Sequence, residues 1–322
     1  MMLSPFVQAI LILDIVFIFF AFITLVLSAK IFFSWDINST LKKQYKLEKS
    51  SFLSATIIKY IFLLKLPLFL FFIFTLDSIS NVLTGAMCAA GVVDATPYGI
   101  YLLIVKVLNI YLFGFWLVLH KFDSKYETMP YTKVKFGFFI LLFFILMLEI
   151  ILEFLMFSDI DIDKMVSCCG VLYSSVASSS FFDIFSIDKS LLVWMFYINF
   201  LLITIFYLFK KVYFYAIFNI TFLYIAILSL ISFFGTYIYE LPTHNCPFCF
   251  LQKDYYYIGY VIYITLFIGT FSSFVVLMNN FLTKDKEISK FYYKMSMIFI
   301  TIYVTIVSLY PIIYYIKNGV WL

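Results

Sequence analysis

Cys246-Pro247-Phe248-Cys249 is the stretch of this chain best suited to chemistry. Two cysteines at this spacing close only a small disulfide ring that adds little stability, and such pairs are commonly redox or metal sites. The motif precedes a long apolar run, which predicts a dithiol at a helix N-terminus. There, unpaired backbone N–H groups and the helix dipole favour the reactive thiolate. His244 lies just before the pair, and Gln252 and Lys253 just after it.

The remaining cysteines are Cys88, Cys168 and Cys169. Adjacent cysteines close a strained ring, so Cys168 and Cys169 are expected to pair elsewhere, one of them with Cys88. Three chemistries are open to these residues. The first is thiol–disulfide exchange, with Cys246, Cys249, Cys88, Cys168 and Cys169 as the reacting groups. The second is a soft-ligand site for copper(I) or another thiophilic ion, formed by Cys246, Cys249 and His244 with Met87 or Met165. The third is purely structural disulfides in an accessory or transport subunit, with His244 simply solvated in its loop.

The elements that must position these residues are membrane helices. Of the 322 residues, 65% are hydrophobic and only 12% charged, and the mean hydropathy is +1.06. These values lie outside the range of soluble domains and predict an all-α polytopic membrane protein. A span needs roughly 20 apolar residues to cross ~30 Å of hydrocarbon. Eight runs qualify: Phe6 to Phe33, Phe52 to Thr75, Tyr98 to Leu119, Phe136 to Phe157, Leu191 to Phe209, Val212 to Tyr239, Tyr256 to Met278 and Tyr293 to Ile316. The chain reads as a single integral membrane domain over 1–322. No basic n-region or small-residue cleavage site marks a signal peptide, so the first span is expected to be retained.

All twenty-two basic residues are lysines, and their loop distribution predicts orientation. Lys30, Lys42, Lys43, Lys46 and Lys49 follow the first span; Lys121, Lys125, Lys133 and Lys135 the third; Lys210 and Lys211 the fifth; Lys284, Lys286, Lys290 and Lys294 the seventh. These loops are assigned to the cytoplasm. The alternate loops, 76–97, 158–190 and 240–255, are lysine-poor and carry Asp77, Asp94, Asp159, Asp161, Asp163, Asp183, Asp188, Glu240 and Asp254, together with all five cysteines. Both termini are then expected outside. In a bacterial inner membrane that face is the periplasm, where disulfide chemistry is permitted.

Ionisable residues inside spans are functional candidates by default. Glu149 and Glu153 lie one turn apart on one face of the fourth span, as a proton relay or, with outer-loop groups, a cation site. The alternative is that Glu149 pairs with a lysine of another span and Glu153 approaches the interface. Asp14, Lys65 and Lys106 are the other candidates for internal pairs. No phosphate-binding loop, dinucleotide fingerprint, zinc-protease motif or serine elbow is present. No feature points to nucleic acid.

Read as Cys246-Pro247-Phe248-Cys249-Phe250-Leu251-Gln252-Lys253, the motif resembles the signature of the DsbB-type, quinone-coupled membrane thiol oxidases. The likeness covers Phe233 to Leu277. That family places such a pair at the periplasmic start of a membrane helix, with a Gln or Glu and a basic residue nearby. The resemblance implies that Cys246 and Cys249 are the redox pair, that Gln252 and Lys253 lie near a quinone, and that a periplasmic thiol protein or thioredoxin-like partner exchanges with the cysteines. The other three cysteines precede the motif here. The related vitamin K epoxide reductases show that the order of loop cysteines and helix dithiol varies.

Overall fold

The computed structural model describes residues 2–36, 42–126, 128–161, 166, 188–282 and 285–322. Among these residues it is all-α, without a strand, and eight helices are long and apolar enough to cross a membrane. We number them α1 (Pro5–Ser34), α2 (Lys42–Ser80), α3 (Gly99–Asp123), α4 (Thr132–Asp159), α5 (Lys189–Leu208), α6 (Val212–Tyr239), α7 (Ile258–Leu282) and α8 (Lys286–Asn318). The protein is therefore a multi-pass membrane protein. Side chains such as Ile12, Ile15 and Phe19 on α1 remain exposed, as lipid-facing residues must.

Local sequence explains the helix ends. Pro5 opens α1 at a position where its missing N–H costs nothing. Asp285 caps α8 by accepting from the backbone N–H groups of Glu287 and Ile288, and Gly319 closes it with a left-handed φ of 71°. Two helices run further than hydropathy alone predicts. The lysine-rich stretch from Lys42 to Lys49, expected as loop, is the first part of α2, and α8 begins at Lys286 rather than Tyr293. Lys and Glu are good helix formers, so polarity ends the apolar run without ending the helix.

The chain forms two compact units: Met1–Thr84 with Val92–Val166, and Gly85–Gly91 with Ser167–Leu322. In the first unit α1 packs on α2 and α4, and α3 packs on the same two helices, closing a four-helix ring. Its core is aromatic, with Phe62 stacked on Phe113 at 4.2 Å between ring centroids and edge-on to Trp116.

In the second unit α6 lies between α5 and α7, and α7 packs along α8. Gly269 lets α8 approach so closely that a Cβ there would meet Ile300. Ser296 uses the gap to donate to the Gly269 carbonyl at 2.7 Å, and it accepts from Tyr215 at 2.8 Å. α6 contains a π-helical turn at Leu230–Phe234. Such turns re-aim the residues that follow, here Gly235–Tyr239.

The turn between α3 and α4 is tied by one buried carboxylate. Asp123 Oδ1 accepts from the Tyr131 N–H at 2.8 Å, and Oδ2 accepts from Thr132 and pairs with Lys135. Removing one partner of a buried ion pair strands the other, at about 3–5 kcal/mol. Lys135→Met is therefore expected to lower the thermal unfolding midpoint in detergent markedly, and the double variant Asp123→Asn/Lys135→Met to recover most of the loss. Equal midpoints for the single variant and the parent would show that the pair does not hold this turn.

Candidate functional site

α6 ends at Tyr239 because Glu240 takes a left-handed φ of 53°. The chain then turns through Leu241, whose N–H donates to the Thr236 carbonyl at 3.1 Å, and His244, whose N–H donates to Leu241 at 3.3 Å. This delivers Cys246 into the interior. Cys249–Leu251 and Lys253–Tyr255 form two short 3-10 turns, and Tyr256 and Tyr257 follow with φ of 53° and 56°. Only then does α7 begin, at Ile258. The expectation that the dithiol forms the N-terminus of the seventh helix is thus incorrect: eight residues separate Cys249 from Ile258. Two consecutive left-handed tyrosines break the backbone where hydropathy reads continuity.

Tyr239 is the clamp of the motif. Its hydroxyl donates to the Cys246 carbonyl and accepts from the Phe250 N–H at 3.2 Å, so one side chain satisfies backbone groups on both sides of Pro247 and Phe248. Its ring stands edge-on to His244 and to Tyr255 and stacks on Phe250. Tyr263 on α7 adds a bond from its hydroxyl to the Pro247 carbonyl at 2.8 Å.

The segment Gly85–Gly91 belongs to the same unit and brings Cys88 to the motif. Cys88 Sγ lies 3.5 Å from Cys246 Sγ, and the sulfurs of Cys88, Cys246 and Cys249 all lie within 4.8 Å of one another. All three cysteines are buried, at 0%, 1% and 6% exposure. The Phe248 N–H points at Cys246 Sγ at 3.4 Å. After the pair, Gln252 is half-buried and donates to the Met87 carbonyl at 3.3 Å, while Lys253 is exposed.

His244 flanks the sulfurs with its Nε2 buried and unpartnered, as is Asn245 Oδ1. Burial holds the His244 imidazole below its ordinary range, and the Cys88 sulfur pulls it partly back. His244 is therefore neutral near pH 7. Met87 is 75% exposed. Cys168, Cys169 and Met165 lie outside the described residues, as does any pairing of Cys88 with either cysteine.

The intramembrane residues gather in the first unit. Lys65 Nζ donates to Asp14 Oδ1 at 2.7 Å and Glu149 Oε1 at 3.2 Å, and Lys106 Nζ donates to Glu149 Oε1 at 3.0 Å and Glu153 Oε2 at 2.7 Å. Asn109 Nδ2 donates to Glu149 Oε2. Glu149 thus has lysine partners, and Glu153, expected near the interface in the blander reading, is fully buried on Lys106. Lys106 also rests over the Phe72 ring at 4.4 Å. A cavity of about 10 Å³, lined by Lys65, Lys106, Asn109, Phe113 and Glu149 among others, adjoins the ladder. The ladder's members were readable as candidates from their cost in a membrane; Asn109, an uncharged residue, was not.

No protein-family model, curated protein or solved structure matches the chain. The class that the fold defines is an all-α multi-pass membrane protein.

Tyr239→Phe removes the clamp and strands the Phe250 N–H and the Cys246 carbonyl, at about 1–3 kcal/mol for each buried group left unpaired. Opening of the motif should become at least tenfold more frequent, since about 1.4 kcal/mol is a factor of ten. Alkylation of Cys246 and Cys249 by a polar maleimide, followed by mass spectrometry, should accelerate by that factor. An unchanged rate would mean that Tyr239 does not hold the motif shut.

Proposed function

We propose that the protein is a membrane thiol–disulfide oxidoreductase facing the periplasm, in which Cys246 and Cys249 are the redox pair and Cys88 relays exchange to them. The observation that carries this reading is the 3.5 Å approach of Cys88 Sγ to Cys246 Sγ. At that distance a thiolate on one sulfur is in contact with its target, and exchange needs no large movement.

The chemistry balances as follows. With Cys246 and Cys249 joined, the Cys88 thiolate attacks Cys246. A Cys88–Cys246 bond forms, the Cys246–Cys249 bond breaks, and Cys249 leaves as a thiolate. A partner thiol then attacks Cys88 and releases Cys246, and a second partner thiol displaces Cys88, leaving the partner as a disulfide. Two electrons and two protons have moved from the partner to the pair Cys246 and Cys249. The near-complete burial of all three sulfurs restricts direct access to the pair. Cys168 and Cys169, in the same acidic, lysine-poor set of loops, are the residues we assign to the outer step with a thioredoxin-like protein.

A membrane quinone is the electron acceptor that this reading calls for, and when bound it supplies a two-electron, two-proton sink. Gln252 and Lys253 fit such a group chemically, because an amide N–H and an ammonium are donors and quinone oxygens are acceptors. The local resemblance of Cys246 to Lys253 to the DsbB-type oxidases supports the same assignment. The multi-pass fold and its exposed apolar surface support contact with lipid.

A second reading has its own observation. Three thiolates about 2.3 Å from one ion stand about 4 Å apart in a trigonal arrangement, and the three sulfurs here lie within 4.8 Å of one another. The unpartnered, neutral His244 beside them adds a borderline-soft donor. A copper(I) ion suits such a set.

Expressed in its membrane, Cys249→Ser should accumulate a Cys88–Cys246 disulfide or a mixed disulfide between Cys88 and a periplasmic thiol protein. Membranes holding the parent protein should reduce added quinone in a dithiol-dependent manner. Absence of both would sink the oxidoreductase reading. One equivalent of copper per chain, retained through purification under reducing conditions, would favour the metal reading instead.

A further inference from the structure

The ladder in the first unit does not balance its own charge. It contains three carboxyl groups, Asp14, Glu149 and Glu153, against two lysines, Lys65 and Lys106. With every group ionised one negative charge would be left over, inside helices that span the membrane. An uncompensated buried charge is strongly destabilising, and a group in that position neutralises instead.

The hydrogen bonds locate the surplus. Glu149 sits at the centre with both lysines and Asn109 on it, whereas Asp14 and Glu153 stand at the two ends with one lysine each. One oxygen at each end, Asp14 Oδ2 and Glu153 Oε1, is buried and has no donor. Asn109 Oδ1, beside the centre, is also buried without a donor. A buried carboxylate oxygen with no donor is a place where a proton binds favourably.

The ligand's class follows from what surrounds it. A sodium ion needs several oxygens converging on it, and the two ammonium groups already occupy the positions between the carboxylates and repel a further metal cation. A proton needs one lone pair. Glu153 is the better of the two ends, because Glu149 stands one turn away from it on the same helix and only Lys106 bonds to it. The charged groups facing it are therefore Asp14 on α1, Lys65 on α2, Lys106 on α3 and Glu149 on its own helix.

We propose that the first unit is a proton-binding site, with one exchangeable proton on Glu153 and the Asp14–Lys65–Glu149–Lys106 ladder as the hydrogen-bonded path that loads and unloads it. In the loading step a hydronium ion gives its proton to Glu153, an O–H bond forms, and a water molecule is left, with no change in oxidation state. The cavity of about 10 Å³ lined by Lys65, Lys106 and Glu149, along the ladder from Glu153, has room for roughly one water. The proposal does not rest on the thiol chemistry of the second unit, and it makes proton movement part of what this protein does in the membrane.

The test is infrared difference spectroscopy of the full chain in lipid nanodiscs, titrated across neutral pH in H2O and D2O. The parent protein should show a protonated-carboxyl C=O band at neutral pH that shifts in D2O and bleaches on alkalinisation. Glu153→Gln, a neutral isostere of the protonated form, should lose the band and keep its helical circular dichroism and melting temperature. A parent spectrum without such a band overturns the proposal, and that measurement needs no variant. Persistence of the band in Glu153→Gln overturns it as well. Loss of the band on adding sodium chloride at fixed pH, with choline chloride as the control, would identify a metal-cation site and equally contradict it.

Discussion

Cys88 and Cys246 are separated by 158 positions and meet with their sulfurs 3.5 Å apart in a buried place. The functional reading depends on that contact. Two loops must be brought to one point and held there without solvent, and each supporting interaction answers a specific difficulty in doing so. The motif's backbone cannot be left unpaired in the interior, so Tyr239 satisfies it from one side and Tyr263 from another. The loop carrying Cys88 is pinned next door by Gln252 on the Met87 carbonyl. α6 passes through a π-helical turn before the site and stops there at a left-handed residue.

The two units handle buried polarity in opposite ways. The second concentrates soft, weakly polar sulfur at its site, which tolerates a dry interior at little cost. The first accepts full charges and compensates them almost completely by alternating sign along one ladder. In lipid an ion pair of this kind is costly to assemble, which makes its members candidates for function. The same first unit contains the Asp123–Lys135 pair, where one acid meets one base and the carboxylate is further satisfied by Tyr131 and Thr132. That pair balances its own charge, whereas the ladder sets three carboxyl groups against two lysines.

Much of the fold was legible because length and apolarity dominate in a membrane. Val212 to Tyr239 is the same in the sequence reading and in the structure, since lysines bound it on one side and Glu240 on the other. Hydropathy failed where a helix continues in polar residues, as at Lys42 to Lys49 and Lys286 to Tyr293, because it measures the solvent and not the backbone. It also failed at the dithiol. Nothing in Tyr256-Tyr257 announces two left-handed residues, and so the distance from Cys249 to the start of α7 was not readable. Of the site, the residue types were visible and the partners were not. Asp14, Lys65, Lys106, Glu149 and Glu153 each declared themselves by their cost in a span, yet which acid met which lysine needed the helices' packing. Cys88 gave no sign of its neighbour, for a contact across that much chain leaves no local pattern.

The most direct measurement of the central contact is a disulfide map of the parent protein in native membranes, quenched with acid, alkylated, digested and read by mass spectrometry after mild oxidation. A Cys88–Cys246 linked peptide, interconverting with a Cys246–Cys249 linked peptide as the oxidant is withdrawn and restored, is the predicted result. If Cys88 never links to Cys246 while Cys246 and Cys249 oxidise freely, the two loops do not meet in the membrane and the relay has no first step.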